Sequence, residues 1–277
     1  MILHPECERG VRKCLRIPCA SMRDSAYWEG RIGKARVRSA VACGYGLAGG
    51  RDGNVGAEGG KTVLRAEGLA CSHAGTPLFS GASFTLLEDE VAFLTGPNGA
   101  GKSTLLRTLA GWDVPAEGRV ELCGRRFDGA DRAQRAQMAF VPDTPVFYDD
   151  LTAGEHVELV RRANRIPRAS DPSERLMDAF GLAERRNLLP SSYSRGMRQK
   201  LALVLALACR PRLLLLDEPY GPLDPESAEV LSRLLVEARV AGAAVLASCH
   251  HGVAGLRPDK WLRLKGGRLE RDPADAC

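Results

Sequence analysis

At 277 residues and 29.8 kDa the chain is long enough to bury a full core, and its formal net charge of +5 lies mostly in residues 1–60, where ten basic side chains stand against six acidic ones. The longest apolar stretch, Leu201 to Cys209, is about half the ~20 residues a membrane-spanning helix needs and is broken at Arg210-Pro211-Arg212, so the chain is expected not to cross a membrane itself. Cys7, Cys14 and Cys19 lack the short paired spacing of a zinc site, and nine scattered cysteines, an odd number, suit reduced thiols in a cytosolic protein.

Residues 1–60 also hold eleven of the 30 glycines and no sustained hydrophobic period, which predicts a disordered arm or a chain start assigned too far upstream. A basic arm touching anionic lipid or nucleic acid is the weaker reading. The arm has no apolar h-region, and so no recognisable signal peptide. Thr62 to Leu87 predicts antiparallel strands, with Phe79, Ala82, Phe84 and Leu86 partly alternating. Val91 to Leu94 predicts a buried strand that feeds residues 96 to 104, GPNGAGKST, the pattern of a phosphate-binding loop. Gly96, Gly99 and Gly101 permit positive φ, so that successive N–H groups can turn inward around a polyphosphate, with Pro97, Asn98, Ala100 and Thr104 completing the loop. Lys102 would reach the β and γ phosphates, and Ser103 would offer its hydroxyl to Mg²⁺. Leu105, Leu106 and Leu109 share one face of a helix that ends near Gly111, with its N-terminal dipole aimed at the anion.

Gly118 to Cys123 predicts a further strand. Thr144 to Tyr193 predicts short helices: Thr152-Ala153-Gly154-Glu155 is a capping box, and Asp171-Pro172-Ser173-Glu174 opens a helix through Met177 and Phe180 to Gly181. Ser194 is a good N-cap for a helix whose apolar face is Met197, Leu201, Val204, Leu205 and Ala208. Leu213 to Leu216 is a continuous apolar run, the pattern of a central parallel strand, and it ends in Asp217-Glu218-Pro219. Ligands sit at such strand ends. Asp217 is the candidate for the Mg²⁺ water shell; Glu218, turned the other way by strand alternation, is the candidate base for the attacking water. Asp224 followed by Pro225 is an N-cap and first-turn proline for a helix through Val230, Leu231, Leu234 and Leu235. Ala244 to Ala247 predicts another buried strand, ending at Ser248-Cys249-His250-His251. Trp261 to Leu264, Gly266-Gly267 and Arg268 to Glu270 read as a hairpin.

The loop, the LLLLDEP strand and the segment Ser191 to Gln199 between them together resemble the ATP-binding cassette (ABC) ATPases over about residues 62 to 271. The family's LSGGQ signature becomes YSRGM, keeping Ser194 and Gly196, the positions that in the family contact the γ phosphate held by the opposite subunit. The resemblance implies that Gly221-Pro222-Leu223-Asp224 is the dimer-contacting D-loop, a role compatible with capping by Asp224. It also implies a histidine on the γ phosphate, and the register favours His250 over His251. Two family positions are altered: Asp143 stands where a glutamine contacts Mg²⁺ and links the site to the membrane partner, and His73 replaces the aromatic that stacks on adenine. Leu78 to Gly81 and Leu105 to Gly111 look like the haem-exporter ATPases, whereas YSRGM looks more like general export-type cassettes.

The expectation is an α/β P-loop NTPase with a mixed central sheet, an antiparallel β subdomain and a helical subdomain at about 144–193 that docks on a permease. Residues 61–271 would form the ATPase domain, 1–60 the arm and 272–277 a tail. By the resemblance, the chain is the cytoplasmic subunit, peripheral on the inner face of the cell membrane, that hydrolyses ATP with Mg²⁺. It would power separate membrane-spanning chains as a homodimer or paired cassette, with no specific nucleic acid partner. The alternative is a soluble ABC ATPase that moves a protein or nucleic acid. A degenerate, regulatory cassette is argued against by Glu218 and His250.

Overall fold

A strand that is apolar at every position needs cover on both faces, whereas alternation marks a sheet covered on one. The computed structural model describes residues 60–73, 76–249 and 252–271 and contains both kinds. Thr62–His73 (β1) pairs antiparallel with Thr76–Leu87 (β2) on one side and Glu117–Leu122 (β4) on the other, and β4 pairs with Arg125–Arg126 (β5). Register shifts between Ala66 and Cys71 of β1, against β2, explain why the alternation in this region is only partial.

The second sheet contains Val91–Thr95 (β3), Met138–Val141 (β6), Leu213–Leu216 (β7), Ala244–Ser248 (β8), Lys260–Lys265 (β9) and Arg268–Arg271 (β10), in the order β10-β9-β3-β8-β7-β6. All neighbours are parallel except the β9–β10 hairpin, so the sheet is mixed as expected. Val91 and Phe93, Leu214 and Leu216, and Val245 and Ala247 join one hydrophobic core; their in-between neighbours Ala92 and Leu94, Leu213 and Leu215, and Ala244 and Leu246 join a second. The first core is closed by Ala153–Ala163 (α3), Ser173–Ala179 (α4), Arg195–Ala208 (α5) and Pro225–Val240 (α6). Lys102–Leu109 (α1) and the antiparallel sheet close the second. Each leucine of β7 is fully buried, a contribution of about 1.5–3 kcal/mol per side chain.

Thr152 caps α3 through the expected box, with Glu155 reaching back to the Thr152 N–H. The helix expected through Phe180 to Gly181 ends at Ala179 with Phe180 as its C-cap, and Gly181 beyond it takes φ 65°. Residues 144–151 form no helix ahead of the capping box. A four-residue helix, Arg132–Arg135 (α2), capped by Asp131, is too short to leave a period in the sequence. Among the described residues, no helix is long and apolar enough to cross a membrane.

Candidate functional site

Four parallel strands, β3, β6, β7 and β8, deliver their carboxyl ends to one edge of the sheet, and most of the candidate residues follow those ends directly. Residues 96–101 leave β3 and turn into α1. Gly96 has φ 147°, Gly99 78° and Gly101 100°, the conformations that the loop requires. At Gly96 space matters as well: a Cβ there would lie 2.3 Å from the Leu264 carbonyl oxygen on β9. Gly101 caps α1 without a side chain, which leaves the first-turn N–H groups of the helix with no side-chain acceptor. Lys102, only 6% exposed, arches back over the loop, its Nζ donating to the carbonyls of Gly96 at 2.9 Å and Pro97 at 3.4 Å. Pro97, Asn98 and Gly99 are exposed along the rim, and Ser103 and Thr104 open the helix.

Asp217 follows β7 and is 4% exposed. Burial pushes its carboxyl above the usual carboxylate range; the hydrogen bond from Ser248 and the Ser103 hydroxyl oppose that push, and the charges of Glu218 and Asp143 add to it. Glu218 is half-buried, and the expectation that strand alternation aims it is corrected here. The strand ends at Leu216, and Glu218 adopts φ 46° in the left-handed region. Its N–H donates to the Ser248 Oγ at 2.8 Å, so a side chain of the neighbouring strand holds its backbone. The adjacent Cys249 thiol is pushed up to about 12 by burial and by the Glu218 charge, and stays protonated.

Ser194 caps α5, accepting from the Met197 N–H at 3.2 Å. At Gly196 a Cβ would stand 2.7 Å from the Pro222 carbonyl oxygen, so the start of α5 packs directly on the loop that leads to α6. Asp224 caps α6 by accepting from the Ser227 N–H at 2.8 Å, and Lys200 pairs with its other oxygen at 2.8 Å. These bonds, the Lys200 one foremost, hold its carboxyl well below the usual range. Asp143, two residues beyond β6, accepts from the Arg195 guanidinium at 2.8 Å. Two of the residues at which this chain departs from the ABC pattern, Asp143 in the glutamine segment and Arg195 in the signature segment, therefore touch each other.

Some assignments cannot be placed. β1 ends at His73, whose side chain lies outside those described; His250, His251, residues 1–59 and 272–277 also lie outside the described residues. Sequence reasoning passed over Ser248, although a hydroxyl that ends a buried apolar strand beside an acidic pair is a legible signal.

The oxygen donors fit a hard cation: the Asp217 carboxylate, the Ser103 hydroxyl and, within charge range, Asp143. Among the described residues no cluster of three or more His, Cys, Asp or Glu could hold a metal ion alone.

A protein-family model described as "ABC transporter" matches residues 79–221. The chain is 36% identical over 225 residues to the lipoprotein-releasing system ATP-binding protein LolD of Ruegeria sp. (strain TM1040), covering 76% of this chain and 98% of that one. It is 38% identical over 188 residues to the cytochrome c biogenesis ATP-binding export protein CcmA of Cupriavidus pinatubonensis (strain JMP 134 / LMG 1197), covering 67% and 83%. A solved ATP-binding subunit of an ABC transporter superposes with a TM-score of 0.71 at 31% identity, over 76% of this chain and 90% of the other.

Proposed function

The chain belongs to the ABC transporter family as an ATP-hydrolysing, ATP-binding subunit, and from that premise we propose that residues 96–104, Asp217 and Glu218 form its hydrolytic site. The observation that carries this reading is that the phosphate loop leaves β3 and the acidic pair leaves β7 at the same edge of one parallel sheet, with only β8 between the two strands. The N–H groups of the loop and of the first turn of α1 would take the phosphates of ATP. Lys102 would exchange its bonds to the Gly96 and Pro97 carbonyls for bonds to the β and γ phosphates. Ser103 and Asp217 would hold Mg²⁺. Bound there, the ion supplies neutralisation of the charge on the phosphate oxygens. Glu218 would orient the attacking water and accept its proton. Asp143 would add an oxygen to this set from a carboxylate that also accepts from Arg195. His250 would contact the γ phosphate and His73 the adenine.

Ser194 and Gly196 of a second copy would complete each site, making the working unit a head-to-tail pair. The helical segment around α3 and α4 would dock on separate membrane-spanning chains, placing the subunit on the inner face of the membrane. The two relatives named above carry a lipoprotein-releasing and a cytochrome c biogenesis role in their names. Cargo is accordingly assigned to the membrane chains and not to this one.

Glu218→Gln tests the reading. It should keep ATP binding and lose turnover by about 10²- to 10⁴-fold, accumulating an ATP-bound dimer. Near-normal hydrolysis by the purified variant would reject the assignment.

A further inference from the structure

We propose that Ser248 is a positioning residue for ATP hydrolysis, one hydroxyl that fixes the Asp217 carboxylate and the Glu218 backbone in a single arrangement. The inference rests on the hydrolytic reading of those two residues and adds a third that it does not use.

Ser248 is the last residue of β8 and is 0% exposed. Its strand runs between β3, which feeds the phosphate loop, and β7, which ends at the acidic pair. Ser248 stands opposite Leu94 of β3, and the Cys249 N–H donates to the Leu94 carbonyl, so the position is pinned from the phosphate-loop side. Toward β7 the Ser248 Oγ donates to the Asp217 Oδ1 at 2.7 Å and accepts from the Glu218 N–H at 2.8 Å. The proton order is forced: an amide N–H can only donate and an ionised carboxylate can only accept, so the hydroxyl must do one of each.

The accepted bond matters because Glu218 sits at φ 46°. A non-glycine residue in the left-handed region is strained, and such strain persists only where the surroundings over-determine it. With the Ser248 bond removed, Glu218 can relax toward ordinary extended backbone, which swings its carboxylate away. Removal also frees the Asp217 carboxylate to rotate. Alanine offers neither bond, a thiol offers both only weakly, and threonine offers both.

The test uses the full chain as wild type, Ser248→Ala, Ser248→Cys and Ser248→Thr. Steady-state hydrolysis is normalised to the fraction of chains that bind ATP in EDTA, and the Mg²⁺ dependence of nucleotide affinity is measured by equilibrium titration. Ser248→Ala should bind ATP in EDTA within about twofold of wild type and need more Mg²⁺ for half-saturation. Its kcat per competent site should fall about tenfold to a hundredfold, the range for loss of a buried hydrogen bond to a charged group. Ser248→Thr should recover most of that loss. A lower unfolding midpoint with an unchanged kcat per competent site would make Ser248 a packing residue and overturn the proposal. If the alanine variant does not fold, the comparison of Thr with Cys decides: Thr well above Cys supports the role, and equal turnover overturns it. Should Glu218→Gln retain hydrolysis, the underlying reading falls; should it lose hydrolysis while Ser248→Ala does not, only this inference falls.

Discussion

Gly196 shows how one residue can answer to two demands. Its φ is not positive, so conformation does not require glycine there; space does, because the Pro222 carbonyl would lie 2.7 Å from a Cβ. Gly196→Ala must push the start of α5 off the 221–224 loop. Overpacking of this kind costs about 1–3 kcal/mol, and in a domain of this size each kcal/mol lowers the unfolding midpoint by about 2–4 °C. A thermal melt that matches wild type within a degree would show that the contact yields freely. Sequence reasoning identified Gly196 through a motif but could not see this neighbour, since Pro222 is distant along the chain. The same limit hid the aim of Glu218. Two adjacent carboxylates after four leucines read naturally as a continuing strand, but the strand ends at Leu216 and Glu218 turns to φ 46°, where a hydroxyl from another strand takes its N–H.

Among the elements, α3 shows a tether that its apolar period does not announce. His156 is 4% exposed, its Nε2 accepting from the Tyr148 N–H at 3.0 Å. That bond leaves the proton on Nδ1, which donates to the Thr152 carbonyl at 2.9 Å, while Phe147 packs edge-on against the ring. The ring thus fastens the segment after Asp143 to the helix. Burial holds its pKa below the usual 6.5, against weaker upward pulls from the Thr152 carbonyl, Glu155 and Asp150. A base whose folded pKa is depressed contributes stability fully above its unfolded pKa and loses it as pH falls through the folded value. The unfolding midpoint should therefore drop as pH falls below about 6.5, and His156→Gln should flatten part of that slope. Identical slopes in the two proteins would assign the pH dependence elsewhere. The capping box of the same helix was legible because Thr152 and Glu155 lie three residues apart. The histidine was not, because its partner lies in a loop that has no period.

For the whole molecule, the apolar runs announced which segments are central strands but not their order. That β8 lies between β3 and β7 is a property of the folded sheet, and it brings Ser248 within reach of both motifs. The pairing of two copies belongs to the same scale. If Ser194 of one copy completes the site of the other, Ser194→Arg should lose hydrolysis while keeping Lys102-dependent ATP binding. Mixing it with Lys102→Ala chains should restore part of the activity, since one interface of each mixed dimer keeps an intact loop and an intact signature. Undiminished hydrolysis by Ser194→Arg alone would sink the shared site.

The contact between Asp143 and Arg195 has a bearing on grafting. The two residues come from segments far apart in sequence, which a chimera would treat as separable modules. Restoring the family's glycine at position 195 alone would remove the guanidinium that pairs with Asp143, and restoring glutamine at 143 alone would deprive Arg195 of its carboxylate. An exposed pair of this kind stabilises by about 0–1 kcal/mol, so a chimera that moves one segment alone loses a local tether and not the fold, and one that moves both keeps the tether.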